Sequence, residues 1–205
     1  MTKLNHIGFI MDGNGRWAVK NGYEHRYYGH IEGAKVFKKT VRHCKDIGVP
    51  VISFYVFSAD NWRRPTEEVD AIMNLLRDYL DDVRDYIEEQ VKVVFVGDKS
   101  SFDEDIRLKM LSLENDSKNF DKMTIFLLVG YDYRTDDADY VPDVDLLIRT
   151  GGDSRISGYM PNRLAYSELM FLDTFWPDFD EAELDTCIKK FKNIERRFGD
   201  VKPTN

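Results

Sequence analysis

Cysteine is nearly absent: Cys44 and Cys187 are the only two in 205 residues, far apart in sequence and each within a helix-like segment. This excludes a disulfide framework and a cysteine zinc site, and fits buried thiols in a reducing compartment. No apolar run reaches the length that spans a bilayer, and Met1-Thr2-Lys3-Leu4-Asn5 lacks the apolar segment of a secretion signal. The expected location is therefore cytoplasmic. Excess positive charge is missing too: 37 acidic residues against 29 basic ones leave a net charge of −8. That argues against non-specific nucleic-acid binding and makes any local cluster of arginines conspicuous. Neither internal repeats nor low-complexity tracts occur. A composition of 42% hydrophobic and 32% charged residues, over this length, suits one domain with a substantial core.

The stretch around which the chain is organised is Ile7 to Trp17. Ile7 to Met11 reads as a short buried strand, followed by Asp12, then Gly13 and Gly15 around Asn14, then a segment from Arg16 that can start a helix. A glycine turn between a strand and a helix start presents backbone N–H groups and the positive end of a helix dipole, which suit a phosphate. Arg16 adds a fixed guanidinium, and Asp12 can hold a divalent cation against the same phosphate. With Ala18 and Val19 where a third glycine would stand, the dinucleotide fingerprint is a poor match, and no Lys-Ser/Thr pair follows the glycines, so a Walker A loop is excluded.

Further along, Tyr23 to Gly33 is a basic and aromatic connection. Ala34, Phe37, Val41 and Cys44 mark a helix ended by Gly48. Val49 to Phe57 is a strand apolar on both faces, and Ser58 to Pro65 a polar loop. Thr66 can cap a helix reaching Gln90, with Ile72, Leu76, Tyr79, Val83 and Ile87 as its apolar stripe. Val91–Val96 reads as a strand, Asp103–Ser117 as a helix, and Met123–Val129 and Val144–Ile148 as strands. Pro161–Met170 is expected to be helical, Phe171–Phe179 irregular, and Asp180–Arg197 helical. The alternation predicts an α/β fold, a single domain with a mainly parallel central sheet flanked by helices.

Function in such a sheet concentrates beyond the strand C-termini. The loops there supply Asp12, Asn14, Arg16, Arg26, His30, Asn61, Arg64, Arg149, Arg155 and Ser157. Any one arginine is ordinarily a surface residue. Five of them beside strand ends, two of which carry glycine turns, match two phosphorylated groups and a metal. His6, His25 and His43 read as structural, whereas His30 follows Arg26 and Gly29 toward the same edge.

Met11-Asp12-Gly13-Asn14-Gly15-Arg16-Trp17-Ala18, Gly29-His30-x-x-Gly33-Ala34, Phe57-Ser58-x-x-Asn61-Trp62-x-Arg64-Pro65, Asp145 to Gly152 and Glu195-Arg196-Arg197-Phe198-Gly199 resemble, in order, the signature blocks of the cis-prenyltransferases, the undecaprenyl diphosphate synthase family. The resemblance implies a Mg2+-dependent condensation of isopentenyl diphosphate with an allylic diphosphate, in a homodimer. The growing chain would lie in an apolar tunnel between sheet and helices, and the lipid product allows transient membrane contact. Carried over by residue, Asp12 would hold the magnesium, and the Gly13–Gly15 backbone, Arg16 and Arg26 would clasp the allylic diphosphate. Arg149, Arg155 and Ser157 would bind isopentenyl diphosphate. Asn14, His30, Asn61 and Arg64 would orient groups and assist proton loss, and Glu168 would lie near the second substrate and its metal. Trp17, Ser58 and Trp62 join the binding set as motif residues, and Arg197 and Gly199 would reach the partner's diphosphates. Ionising an allylic diphosphate leaves pyrophosphate, so cations aimed at the leaving group beside an apolar wall are the chemistry required.

Asp60 stands where the family usually has glutamate, and Asp200 where it has a second glycine. Gly158 and Met160-Pro161 replace a more apolar sequence. Gly130-Tyr131-Asp132-Tyr133-Arg134 replaces the usual Asn-Tyr-Gly-Gly-Arg, and only nine residues separate Arg134 from Val144, where the resemblance implies a helix and a long loop. Short or medium products are therefore expected. Coupling of two allylic units stays open as an alternative, although Arg149, Arg155 and Ser157 speak against it. A non-catalytic partner subunit would lack the Asp-Gly-Asn block, which is present here.

Overall fold

Six apolar segments pair into one sheet: β1 His6–Ile10, β2 Val51–Ser58, β3 Val91–Val96, β4 Met123–Tyr131, β5 Leu146–Arg149 and β6 Glu168–Phe171. The computed structural model describes residues 3–88 and 90–196, apart from the side chains of 82 and 84–88. The strand order is β3-β4-β2-β1-β5-β6, and every neighbouring pair is parallel. The chain leaves β1 toward β2, then crosses back after β4 to place β5 on the other side of β1. The order thus reverses between β1 and β5, which makes their C-terminal ends the crevice where an open α/β sheet binds ligands. Ile10 pairs with Arg149 there.

The helices are α1 Asn14–Lys20, α2 Tyr27–Asp46, α3 Thr66–Glu88, α4 Glu104–Ser117 and α5 Glu181–Lys192. Side chains of α2 to α5 share one core with Ile7, Phe9, Ile52, Phe54, Ile125, Leu127, Leu146 and Ile148. Burying one such side chain stabilises the fold by about 1.5–3 kcal/mol. Alternate strand residues, Ile10, Phe126, Leu128 and Leu147, pack on the opposite face with Val141, Val144, Tyr159 and Met160. That face is covered by turns and irregular chain from 132–145 and 156–164, not by an α-helix. Both cysteines are buried, Cys44 in α2 and Cys187 in α5.

Several boundaries differ from the sequence reading: α5 ends at Lys192 rather than Arg197, β5 begins at Leu146 rather than Val144, and three further differences bear on the site. Pro161–Met170 holds a 3-10 turn, Pro161–Arg163, and then strand β6. As a four-residue edge strand, β6 carries no periodicity to betray it, and it is fixed by pairing with β5 through Glu168 N–H to Asp145 O, 2.9 Å, and Leu172 N–H to Arg149 O, 2.8 Å. Helix α3 has Thr66 as its first residue rather than its cap, with Pro65 O accepting from Glu68 and Val69. Helix α2 begins at Tyr27, so Gly29 and Gly33 lie inside it rather than before it.

Glycine is required at both positions because α1 approaches closely. A Cβ on Gly29 would fall 1.8 Å from the Asn14 backbone oxygen, and one on Gly33 would fall 2.3 Å from Asn14 Oδ1. Gly29→Ala should therefore cost stability, by about 1–3 kcal/mol, despite alanine's better helix propensity, and should lower activity by displacing Asn14. Denaturant titration beside a kinetic assay checks this; a more stable variant would contradict the packing.

Candidate active site

Asp12 and Arg149 meet across the crevice between β1 and β5. Arg149, with a side chain 4% exposed, donates from Nη2 to Asp12 Oδ2 at 2.8 Å. The other carboxylate oxygen, Oδ1, takes Gly13 N–H at 2.6 Å and the Arg16 guanidinium at 3.1 Å. Partial burial works to raise the Asp12 pKa, but the bonds from Arg149 and Gly13 N–H and the charge of Arg16 outweigh it and hold the carboxyl below its ordinary value. Asp12 is therefore an anion at neutral pH, fixed in place and facing the cavity.

The backbone at Asp12 is pinned as firmly. Thr150 Oγ1 donates to Asp12 O at 2.8 Å, Asp12 N–H donates to Thr150 Oγ1 at 3.1 Å, and Trp176 N–H donates to Asp12 O at 3.0 Å. Gly13 turns the chain with φ 103° and caps α1, whose first internal bond is Trp17 N–H to Gly13 O, 2.8 Å. The N–H groups of Asn14, Gly15 and Arg16 precede that bond, as at any helix start.

The second arginine cluster hangs on Arg149. Its Nη1 donates to Ser157 Oγ at 2.8 Å and to the Arg155 carbonyl, folding the loop after β5 over the crevice. Asp153, which the sequence reading passed over, sits among three guanidinium groups: Arg155 at 2.8 Å, Arg149 at 3.4 Å and Arg16 at 3.7 Å. Its position two residues before Arg155 was the available signal.

A cavity of about 520 Å³ opens here. Its polar lining comprises Asp12, Asn14, Arg16, Arg149, Arg155 and Ser157, joined by His30, Ser58, Asn61 and Arg64. Its apolar lining includes Phe37, Ile72, Leu75, Leu76, Tyr79 and Trp176. Asn61 and Arg64 come from the turn after β2, where Ser58 N–H donates to Asn61 Oδ1 at 3.1 Å, and Arg64 pairs with Glu68 at 3.1 Å.

Comparison with known proteins agrees with this geometry. The sequence profile of the undecaprenyl diphosphate synthase family matches residues 10–139 and 135–199. An isoprenyl transferase of Fusobacterium nucleatum is 38% identical, with 96% of each chain covered. One of Helicobacter hepaticus is 36% identical, covering 96% of this chain and 97% of that one. Among solved structures, lavandulyl diphosphate synthase of Lavandula x intermedia, in complex with dimethylallyl diphosphate, superposes with a TM-score of 0.89 at 25% identity, over 96% of this chain and 98% of that one. A probable undecaprenyl diphosphate synthase of Campylobacter jejuni gives a TM-score of 0.82 at 27% identity, over 98% and 100%. The chain belongs to the undecaprenyl diphosphate synthase family.

In this member of the undecaprenyl diphosphate synthase family, ten of the expected site residues line one cavity. Others stand beside it. Arg26 lies over Gly15, where a Cβ would meet its guanidinium at 2.6 Å. Trp17 donates from Nε1 to Asp178 at 2.6 Å and stacks on Tyr23, and Trp62 packs edge-on against Phe57. Glu168 opens β6 opposite Leu146, three residues from the Arg149–Phe171 pair at the crevice edge. About 10 Å of strand separates it from that edge, so within one chain it is not placed to share a metal with Asp12. Arg197 and Gly199 lie outside the described residues.

His30 is a neutral imidazole at neutral pH. Burial first, then the charges of Arg64 and Arg26, push it down to about 4 from 6.5. His6 is held at about 4 by burial as well. Between those values the unfolded chain binds protons that the native protein refuses, so stability falls as pH drops from 6.5 toward 4. Calorimetric melting over that range should show a falling midpoint in wild type and a shallower fall in His30→Gln; equal slopes would contradict the neutral assignment.

Proposed function

We propose that the protein is a cis-prenyltransferase that, with Mg2+, condenses isopentenyl diphosphate with an allylic diphosphate and forms a new cis double bond. The observation that carries this reading is the cavity itself, which brings a fixed carboxylate, several arginines and a set of apolar and aromatic side chains into one lining.

Arg16, Arg26 and the Gly13–Gly15 backbone hold the allylic diphosphate in this account, and Arg149, Arg155 and Ser157 the second one. Neutral His30 accepts the proton lost from the isopentenyl carbon beside the new carbon–carbon bond, and Asn14 orients the groups. Among the described residues no three Asp, Glu, His or Cys side chains form a metal cage. None is needed for magnesium, which is held by one or two carboxylates together with substrate phosphates, and the ionised, cavity-facing Asp12 fits that role. When bound, the ion would offset the charge developing on the leaving pyrophosphate. Isopentenyl-dependent release of pyrophosphate, lost with EDTA and restored by Mg2+, tests the proposal; release unaffected by chelation would overturn the metal's part.

A homodimer belongs to the same proposal. Leu169, on the edge strand β6, is 44% exposed and Tyr166 beside it 62%, an apolar edge suited to a second copy. Among the described residues no helix is long and apolar enough to cross a membrane; a cytoplasmic enzyme that touches membranes only through its product is in keeping with that.

Product length follows from capacity. A cavity of about 520 Å³ is the size that holds a drug-sized ligand, and Phe37 and Tyr79 meet edge-to-face, 4.8 Å apart, in its apolar lining. The segment after Arg134 runs without helix or strand as far as β5, consistent with a shortened wall. Short or medium chains are the expected products, and mainly eleven-unit chains on product sizing would contradict this. The lavandulyl diphosphate synthase structure holds dimethylallyl diphosphate, an allylic diphosphate, which keeps open a second reading, coupling of two allylic diphosphates. That reaction would proceed without isopentenyl diphosphate.

A further inference from the structure

Beneath the loop that carries Arg155 and Ser157 runs a chain of three polar side chains with no exposed surface: Tyr159, Ser53 and His6. Tyr159 Oη lies 2.5 Å from Ser53 Oγ, Ser53 Oγ lies 2.5 Å from His6 Nε2, and His6 Nδ1 lies 2.9 Å from Pro142 O. The chemistry at the far end fixes the direction. A carbonyl only accepts, so Nδ1 carries a ring proton, and an imidazole held at about 4 by burial carries no second one at neutral pH. Nε2 must then accept from Ser53, which leaves the serine oxygen to accept from the Tyr159 hydroxyl. Each donor and acceptor along the chain has a single assignment.

Space for this arrangement has been left in β1. A Cβ on Gly8 would fall 2.2 Å from Tyr159 Oη, so glycine at that position admits the hydroxyl. The loop above needs anchoring, because Ser157, Gly158 and Met160 have φ of 49°, 79° and 30°. Left-handed backbone at serine and methionine is disfavoured and persists only where surroundings impose it. Arg149 holds this loop from the cavity side through Ser157 Oγ and Arg155 O. Tyr55 hydroxyl donates to Ser157 O at 3.3 Å, and the Tyr133 ring lies against Gly158, within 2.6 Å of where a Cβ would stand. Tyr159 is the anchor from beneath.

We infer that Tyr159, bonded through Ser53 to His6, is a positioning residue that sets the 155–160 loop so that Arg149, Arg155 and Ser157 converge on one diphosphate. The inference rests on the assignment of that cluster to isopentenyl diphosphate. A buried polar chain with every member satisfied defines one geometry where an apolar contact would tolerate several.

Tyr159→Phe removes only the hydroxyl and keeps the ring packed near Tyr55, with centroids 5.8 Å apart. Its KM for isopentenyl diphosphate should rise roughly tenfold or more, while the KM for the allylic substrate moves less than about twofold. Ser53→Ala strands the same hydroxyl and should do as much, and the double variant no more, because one chain is broken in each case. Calorimetric binding of isopentenyl diphosphate alone reads the loop without turnover. An inactive wild type that binds it would count against the proposed reaction, and weaker binding by Tyr159→Phe would still support the positioning role. Unchanged isopentenyl affinity in Tyr159→Phe, equal rises for both substrates, additive effects in the double variant, or a wild type that does not bind isopentenyl diphosphate would each overturn the inference.

Discussion

Replacing Asp12 with asparagine should lower kcat by about three orders of magnitude or more and leave a folded protein. The shape of the side chain survives, but the charge that would hold the metal against the leaving group does not, and that interaction strengthens only as the allylic bond breaks. Arg149 would lose its nearest counterion, at 2.8 Å, yet keep Asp153 at 3.4 Å and Ser157 at 2.8 Å. The expected loss of stability is therefore about 1–3 kcal/mol, well short of unfolding a typical domain. Because the Asp12 carboxyl lies below its ordinary value in the folded protein, its contribution to stability is present above the unfolded pKa and lost as pH falls through the folded one. The asparagine variant should lack that part of the acid loss. Steady-state kinetics with urea unfolding at neutral and acid pH checks both halves, and a kcat within tenfold of wild type would remove Asp12 from the chemistry.

The second large effect is expected at Arg197. Its neighbour Arg196 is tied to the edge of the sheet opposite the crevice: Nη1 donates to Asp145 Oδ1 at 2.6 Å and Nη2 to Tyr166 O at 2.7 Å. Asp145 in turn accepts from the Asn5 and His6 N–H groups with its other oxygen. From Asp145 to Arg149 the chain climbs about 13 Å, so the tail starts far from its own chain's arginine cluster. The family resemblance implies that Arg197 reaches a partner's site. Arg197→Ala should lose activity far more than stability. Mixing it with Asp12→Ala, under conditions where subunits exchange, should restore part of the activity, because one site of the mixed dimer then carries both lesions and the other neither. Proven exchange without recovery would mean that Arg197 serves its own site or none.

The four inner strands and edge strand β3 were legible because they are near-continuous apolar runs of β-branched and aromatic residues, the pattern of strands buried on both faces. Strand β6 was not. Glu168-Leu169-Met170-Phe171 pairs on one side only and is held in place by β5, so nothing local distinguishes it from a helix. The start of α2 was hidden for a different reason. Gly29 and Gly33 read as loop residues, whereas they are helix positions emptied of side chain so that Asn14 can come within contact. For the site, residue type and strand position sufficed to bring ten predicted residues to one cavity. Asp153 and Thr150 were missed because their value depends on what they touch: three guanidinium groups in one case, the Asp12 backbone in the other. The same holds for His6, Ser53 and Tyr159, which come from three distant segments and become a chain only once β1, β2 and the loop after β5 are stacked.

The most direct measurement is product analysis after incubating the protein with Mg2+, isotopically labelled isopentenyl diphosphate and a short allylic diphosphate. The account predicts products longer than the allylic starter by whole five-carbon units, each carrying label, with the new double bonds in the cis configuration by NMR. Unlabelled products formed from the allylic diphosphate alone, or trans double bonds in the added units, would contradict it.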